Sequence, residues 1–301
     1  MRQVALASVL LVGASACDFT KLTANQTVGL FERASAGVER HWDYELVGEA
    51  SPGNILQLEG ILRVTPDNQD LLLLTAQAYA AYAYGWVEDE AERAEEAGDY
   101  QESERLRERA MRMYRRARNL MFRVMRQRGD GFREARTNLD RFEPWLAEKM
   151  DDREDAEALF WLGYAWGSMI GADLTNTDSI ADISLVQAAV ARSVAIDPTV
   201  EHAGGLVLLG SLKCRSPSPE IRDEGAAHFQ EALNLTERRY LVVQVNLAST
   251  CARVNQDRDA YVELLREVLS AEDPLPEARL ANRIAKRRAR RYLAMTDELF
   301  L

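Results

Sequence analysis

Apolar residues recur three and four positions apart along most of the chain, and no segment of useful length alternates polar with apolar. That periodicity predicts helices and no sheet. The punctuation sorts the helices into pairs. Ser51-Pro52 reads as the cap and first turn of a helix over about 54–64, which ends at Thr65-Pro66-Asp67-Asn68 before the next begins at once. Asp197-Pro198 plays the same part after a helix over 183–196. No proline falls between residues 67 and 143 or between 145 and 197, and such stretches suit long helices. The pattern predicts a helix before Glu49, then pairs near 53–86, 100–126, 132–171, 180–213, 219–254 and 257–297.

Helices that stop at a proline and restart immediately are typical of tetratricopeptide-type arrays, which need a small residue where two helices cross closely. Leu159-Leu162-Gly163-Trp166 has the bulky, bulky-small and aromatic positions of a first helix. Leu72-Thr75-Ala76-Tyr79 and Leu206-Leu209-Gly210 match most of them, Lys213 standing where the latter would have an aromatic. Ala110-Met113-Tyr114-Ala117 and Gly225-Phe229-Ala232 fit the second helix. The expected fold is all-α, a tetratricopeptide-like helix-pair superhelix with degenerate repeats, forming a single domain over 26–301. In that frame Tyr79 and Trp166 pack between helices, while Phe160, Tyr164, Ser211, Asn246, Thr250 and Arg253 face a concave groove. An apolar wall with a few polar groups suits an organic ligand or a partner's inserted segment. The alternative is a groove closed by neighbouring helices, with these residues as ordinary core.

Composition narrows the class. With 47% apolar and 28% charged residues among 301, the chain is a folded soluble protein. A net charge of −11 argues against a nucleic-acid binder, whose affinity comes largely from neutralising phosphates. The start of the chain reads as an export signal: Met1-Arg2, an apolar stretch from Val4 to Val12, then Ala14-Ser15-Ala16-Cys17. Small residues running into a cysteine resemble a bacterial lipobox. This assigns 1–16 to a lipoprotein signal peptide, Cys17 to lipidation, 17–25 to a lipidated tether, and the protein to the periplasm as a membrane-anchored lipoprotein. Ala14, where a lipobox usually carries Leu, keeps ordinary cleavage after Ala16 open as the rival. No later run reaches the roughly 18–20 apolar residues of a membrane span, so the lipid is the expected membrane contact. Cys214 and Cys251 are either a disulfide, as an oxidising compartment invites, or two small buried hydrophobes.

Charge is unevenly placed. Nine acids cluster between Val87 and Glu104, and ten arginines follow from Arg105 to Arg128. The plain reading is a solvated hairpin whose halves pair; a docking surface is the sharper one. A helix from Pro276 to about Leu299 combines an apolar stripe (Leu280, Ile284, Ala285, Ala289, Leu293) with basic residues, so it reads as a capping helix. Its Arg283, Arg287, Arg288 and Arg290 are candidates for docking acidic surfaces of this or a partner protein. The fold is expected to tolerate reversal of Arg287 and Arg290.

No Gly-x-Ser-x-Gly, phosphate loop, Gly-x-Gly-x-x-Gly or Ser-x-x-Lys is present, no spacing suggests a metal site, and no cofactor is expected. Asp151, Asp152 and Asp155 read as charge complement at a helix start. The chain is read as no enzyme. Four segments carry a family resemblance: Leu58-Glu59-Gly60-Ile61-Leu62 with Pro66-Asp67-Asn68 and Gly85-Trp86-Val87-Glu88; Phe160-Trp161-Leu162-Gly163 with Trp166-Gly167; Asp197-Pro198 to Gly204 with Leu209-Gly210, Phe229 and Ala232-Leu233; and Asp257-Arg258 with the ending Leu280-Ala281-Asn282-Arg283-Ile284-Ala285-Lys286-Arg287-Arg288-Ala289. Together they resemble the TRAP transporter T component (TatT) family. Ile183-Ser184 departs from the Leu-Pro such a chain would carry, and Tyr292 stands in place of an aliphatic residue. The resemblance implies a periplasmic helper of a tripartite ATP-independent transporter that docks the substrate-binding P component and helps present or relay a hydrophobic or amphipathic organic ligand. A generic envelope-assembly adaptor of the same fold is the alternative, a periplasmic hydrolase a remote one; a homo-oligomer is left open.

Overall fold

Side-chain caps set half of the α-helix starts among the described residues. In the computed structural model, which describes residues 28–31, 33–173 and 180–300, Asp43 accepts from the backbone N–H of Leu46 at 2.9 Å to open α1 (Tyr44–Val64). Asn68 does the same for Leu71 at 2.8 Å and opens α2 (Gln69–Tyr82). A π-helical turn, Ala83–Val87, runs straight into α3 (Glu88–Glu96). Gly98, at φ 77°, reverses the chain so that Asp99 can cap the long α4 (Tyr100–Arg128). The short α5 (Phe132–Ala135) and α6 (Leu139–Lys149) lead to α7 (Arg153–Ala172), which begins in a reciprocal capping box of Asp152 and Asp155. Next come α8 (Ile183–Ile196), α9 (Val200–Lys213) and α10 (Pro219–Leu235). α11 (Val242–Leu247) passes into a second π-helical turn, Ala248–Ala252. α12 (Arg258–Ser270), α13 (Arg279–Ala294) and α14 (Thr296–Leu299) complete the chain. Among the described residues there is no strand, and no helix is long and apolar enough to cross a membrane. The fold is all-α. The signal segment, Cys17 and the tether to residue 25 lie outside the described residues.

Each helix packs on the next in the manner of successive pairs: α1 on α2, α2 and α3 on α4, α4 on α7, α7 on α8, α8 on α9, α9 on α10, then α11 on α12 and α12 on α13. The small residues allow close approach. A Cβ on Gly163 would lie 2.2 Å from Val190 on α8, and one on Gly210 would lie 2.6 Å from the Phe229 ring on α10. The main apolar core runs from Val28 to Leu209, and a second one spans Leu241 to Phe300. Fully buried residues such as Leu72, Tyr114 and Trp166 anchor the first, each contributing about 1.5–3 kcal/mol by burial. Between the cores, Cys214 and Cys251 form a disulfide that clamps the end of α9 to the second π-helical turn. The last long helix then returns to the first ones: Leu280 and Ile284 of α13 pack with Val47 and Trp86.

One boundary differs from expectation. The first helix does not start at Ser51-Pro52 but runs through Pro52 from Asp43. Its opening turns are held from outside, because Val47 packs against Trp86 and Leu280 and the indole N–H of Trp86 donates to the Tyr44 carbonyl at 3.2 Å. Tertiary packing outweighs proline's preference for a first turn.

Candidate functional site

Two helical stretches carry π-helical turns, a distortion often found where side chains must be re-aimed. From the first turn Tyr84 comes near Asn246, just ahead of the second, and the Asn246 amide Nδ2 donates to the Val242 carbonyl at 2.8 Å. Tyr84 meets Tyr164 of α7 edge-on, with ring centres 6.5 Å apart, and Tyr164 in turn meets Tyr114 of α4 at 6.4 Å. Phe160 and Trp161 complete the row, 5.8 and 5.6 Å from Tyr164. Tyr84, Tyr164, Trp161, Tyr240 and Asn246 are all half-buried. Burial dominates the titration of Tyr84, Tyr164 and Tyr240, pushing each phenol above its ordinary value. The three phenols are thus partly exposed yet strongly desolvated, the combination expected of side chains that line a recess.

One end of this wall is closed by ions. Three acids of α3 meet three arginines of α13, about two hundred residues later in the chain. Asp89, 1% exposed, receives Arg287 Nε at 2.9 Å and Arg291 Nη1 at 2.6 Å. Burial works to raise its carboxyl, but the hydrogen bonds from Arg291 and Arg287 hold it below the ordinary carboxylate value. Glu88 is pushed the other way by burial, against the pull of Arg288 at 3.1 Å and the Tyr114 hydroxyl, which donates to it at 2.9 Å. Glu92 pairs with Arg291 and accepts from the Tyr292 hydroxyl at 3.2 Å. The Arg288 guanidinium lies 3.9 Å over the centre of the Tyr84 ring and donates to the Tyr84 carbonyl at 2.8 Å.

The other end carries a carboxylate, Glu201, that pairs with no arginine among the described residues. α9 opens with Glu201, His202 and Ala203 in left-handed conformation, at φ 50°, 54° and 63°. Each such residue costs about 1–2 kcal/mol, and three in succession mark a strained turn. Gly204 follows, where a Cβ would stand 2.8 Å from the Phe160 ring. The turn brings Glu201 against Trp161, whose indole N–H donates to it at 3.0 Å, and sets His202 on the Tyr240 ring at 4.7 Å. Burial, with Glu157 and Glu39 adding to it and Trp161 opposing, pushes the Glu201 carboxyl up to about 7.

The structure brings together three of the six groove residues expected from sequence. Phe160 and Tyr164 lie on the wall, and Asn246 lies near Tyr84. Thr250 is buried, 3% exposed, with its hydroxyl donating to the Asn246 carbonyl within its own helix. Ser211 is half-buried, and Arg253 is exposed near the Tyr261 phenol; among the described residues neither makes a side-chain hydrogen bond or ring contact with the wall. Of the four basic candidates, Arg283 and Arg290 are exposed, whereas Arg287 and Arg288 are engaged within the chain. The expectation that the fold tolerates reversal of Arg287 is corrected on that ground, since the change would set a second carboxylate against buried Asp89. The acidic hairpin is likewise different from its plain reading. Arg107 pairs with Glu95 across it, but its inward acids serve α13, while Arg116 and Arg128 of α4 reach Glu59 at 2.7 Å and Asp155 at 2.6 Å.

Tyr84, Trp161, Glu201, Tyr240 and Arg291 were not singled out from sequence. Tyr84, Glu88 and Glu92 form a row four residues apart, as do Arg287 with Arg291 and Arg288 with Tyr292, so complementary helix faces were there to be read. The left-handed turn carries no such sign, because Glu, His and Ala are not residues that favour it. Asp151, Asp152 and Asp155 bring their carboxylates within 4.8 Å of one another. Asp155 is already committed to the backbone N–H of Asp151 at 3.0 Å and to Arg128, which accounts for the group as a helix start.

The family model described as TRAP transporter T-component matches residues 40–300. No curated protein matches the chain.

Proposed function

The chain belongs to the TRAP transporter T-component family and is a component of such a transporter, and on that premise we propose that it docks the substrate-binding P component and presents or relays its organic ligand. The observation that carries this reading is the aromatic wall in which half-buried Tyr84, Trp161 and Tyr164 meet buried Phe160, Tyr84 standing in a π-helical turn. Such a wall with a few polar groups suits a hydrophobic or amphipathic molecule. The expected placement is periplasmic, through a lipid on Cys17.

Docking has a charged face to use. Arg115, Arg126 and Arg133 on α4 and α5 are exposed, and no ion pair of theirs exists among the described residues. Arg118 and Arg136 flank the Phe122 ring at 5.2 and 4.6 Å. On a chain of net charge −11 this is a local positive field that favours an acidic partner surface.

The test measures binding of the purified chain to the P component of its own system. We expect reversible binding that weakens with salt and weakens further in the double variant Arg126→Glu/Arg133→Glu, with the melting temperature unchanged. Absence of binding at low salt sinks the docking reading; salt-independent binding sinks the assignment to this face.

A further inference from the structure

We propose that the recess bounded by Trp161, Tyr164, Tyr240 and Glu201 binds a ligand carrying an organic cation, an ammonium or quaternary ammonium head on an apolar body. The inference deepens the ligand-relay reading and rests on it. It follows from what surrounds the Glu201 carboxylate. Three half-buried aromatic rings stand at this end of the wall, and an aromatic face attracts a cation through its quadrupole, most strongly once the cation is desolvated. Glu201 is held inward by the left-handed turn and by the Trp161 N–H at 3.0 Å.

The local field has one sign. Glu157 of α7, which accepts from Gln77 of α2 at 3.0 Å, and Glu39 of the N-terminal helical segment both act on Glu201 to disfavour its charge. Tyr240 faces it from the segment before α11. His202 stacks on Tyr240 and is held neutral by burial, its proton affinity lowered against the pull of Glu277. Arg40 acts on Glu39, and Arg239 lines a separate cavity of about 230 Å³ beside His202 and pairs with Glu237 at 3.2 Å. No guanidinium or ammonium group is paired with Glu201 among the described residues. An anion entering here would meet carboxylates and ring faces, both repulsive; a cation would meet two favourable partners. The contrast with the arginine-closed end gives the ligand a direction, its charged head toward Glu201 and its body along Tyr164 and Phe160.

A cation favours the ionised carboxylate, so its binding releases a proton from Glu201 and strengthens as the solution is made more basic. With the carboxyl near 7, affinity should fall about tenfold from about pH 8 to about pH 6. The experiment titrates the full chain with benzyltrimethylammonium, following tryptophan fluorescence and heat, beside phenylacetate and benzyl alcohol as anionic and neutral probes. Expected are saturable binding of the cation at least tenfold tighter than of either control, quenching lost in Trp161→Phe, and loss of both affinity and pH dependence in Glu201→Gln. The melting curve of Glu201→Gln shows that the variant is folded. Equal or tighter binding of phenylacetate or benzyl alcohol overturns the cation assignment while leaving the recess as a ligand site. A cation affinity unchanged in folded Glu201→Gln overturns it too. If no probe of any charge perturbs Trp161, the recess itself fails as a ligand site, whatever the outcome of P-component docking.

Discussion

At the α3–α13 end of the recess Glu88, Asp89 and Glu92 each have a basic or hydroxyl partner; at the α9 end Glu201 has an indole N–H and, among the described residues, no cation. Both ends bury acids, yet the consequences are opposite. Asp89 is held ionised because two guanidiniums outweigh its burial, whereas Glu201 drifts toward neutrality because nothing does. Burial disfavours the charged carboxylate at both ends; Arg287 and Arg291 outweigh it at Asp89, Arg288 and Tyr114 do not at Glu88, and at Glu201 only the Trp161 N–H opposes it. The comparison assigns the first end to holding the last helix on the first ones, and leaves the second free to recognise something from outside.

The largest effect is expected where the fastener is cut. Asp89→Ala leaves Arg291, 7% exposed, and Arg287 beside an apolar gap, and removing one partner of a buried pair costs about 3–5 kcal/mol. Denaturant unfolding should show that loss, together with early exchange of the α13 amides. The loss should be greatest at neutral pH and shrink as acid protonates Asp89 in the parent, since a carboxyl held low stabilises the fold above its unfolded value. A change under about 1 kcal/mol would mean that the apolar contacts of Leu280 and Ile284 hold α13 alone, and the comparison would break at this end.

The second effect has the opposite sign. Between its ordinary value of 4.5 and its folded value of about 7, Glu201 binds more proton folded than unfolded, so stability falls as pH rises through that window. Glu201→Gln keeps an acceptor for the Trp161 N–H and has no charge to desolvate. It should therefore stabilise the chain by up to roughly 3 kcal/mol above about pH 8 and by little at pH 4.5, a tenfold change in ionisation being worth 1.4 kcal/mol. Melting temperatures of both chains across that range provide the check. Parallel curves would show that Glu201 titrates normally and would erase the difference between the two ends.

Much of the architecture was legible because it rests on local rules. The helix restart after Thr65-Pro66-Asp67-Asn68, the small residues Gly163 and Gly210, and the apolar stripe of α13 each follow from spacing and side-chain chemistry. Phe160, Tyr164 and Asn246 came into view through the same periodicity. What stayed hidden depends on distant partners. Pro52 sits inside a helix because Trp86 and Leu280 hold the turns before it. Asp89 and Arg291 are 202 positions apart, and only the return of α13 to α3 makes them a pair. Glu201 faces inward because three residues adopt a backbone their side chains disfavour, which no propensity anticipates.

The smallest expected effect separates α13's inward face from its outward one. Arg290 follows Arg288 by two positions, which on a helix turns it away from the Glu88 and Glu92 side, and it is exposed with no ion pair among the described residues. Arg290→Glu should change stability by less than about 0.5 kcal/mol, as surface substitutions away from such features do. Arg287→Glu, three residues earlier and facing buried Asp89 at 2.9 Å, should cost several times more. The pair of variants reverses the same charge on the same helix, so net charge and helix propensity cancel in the comparison. A similar loss from both would point to a general effect of acid on a basic helix and against the pairing with α3. A silent Arg290→Glu beside a damaging Arg287→Glu would confine the closure to one face, leaving Arg283 and Arg290 for contacts outside the molecule.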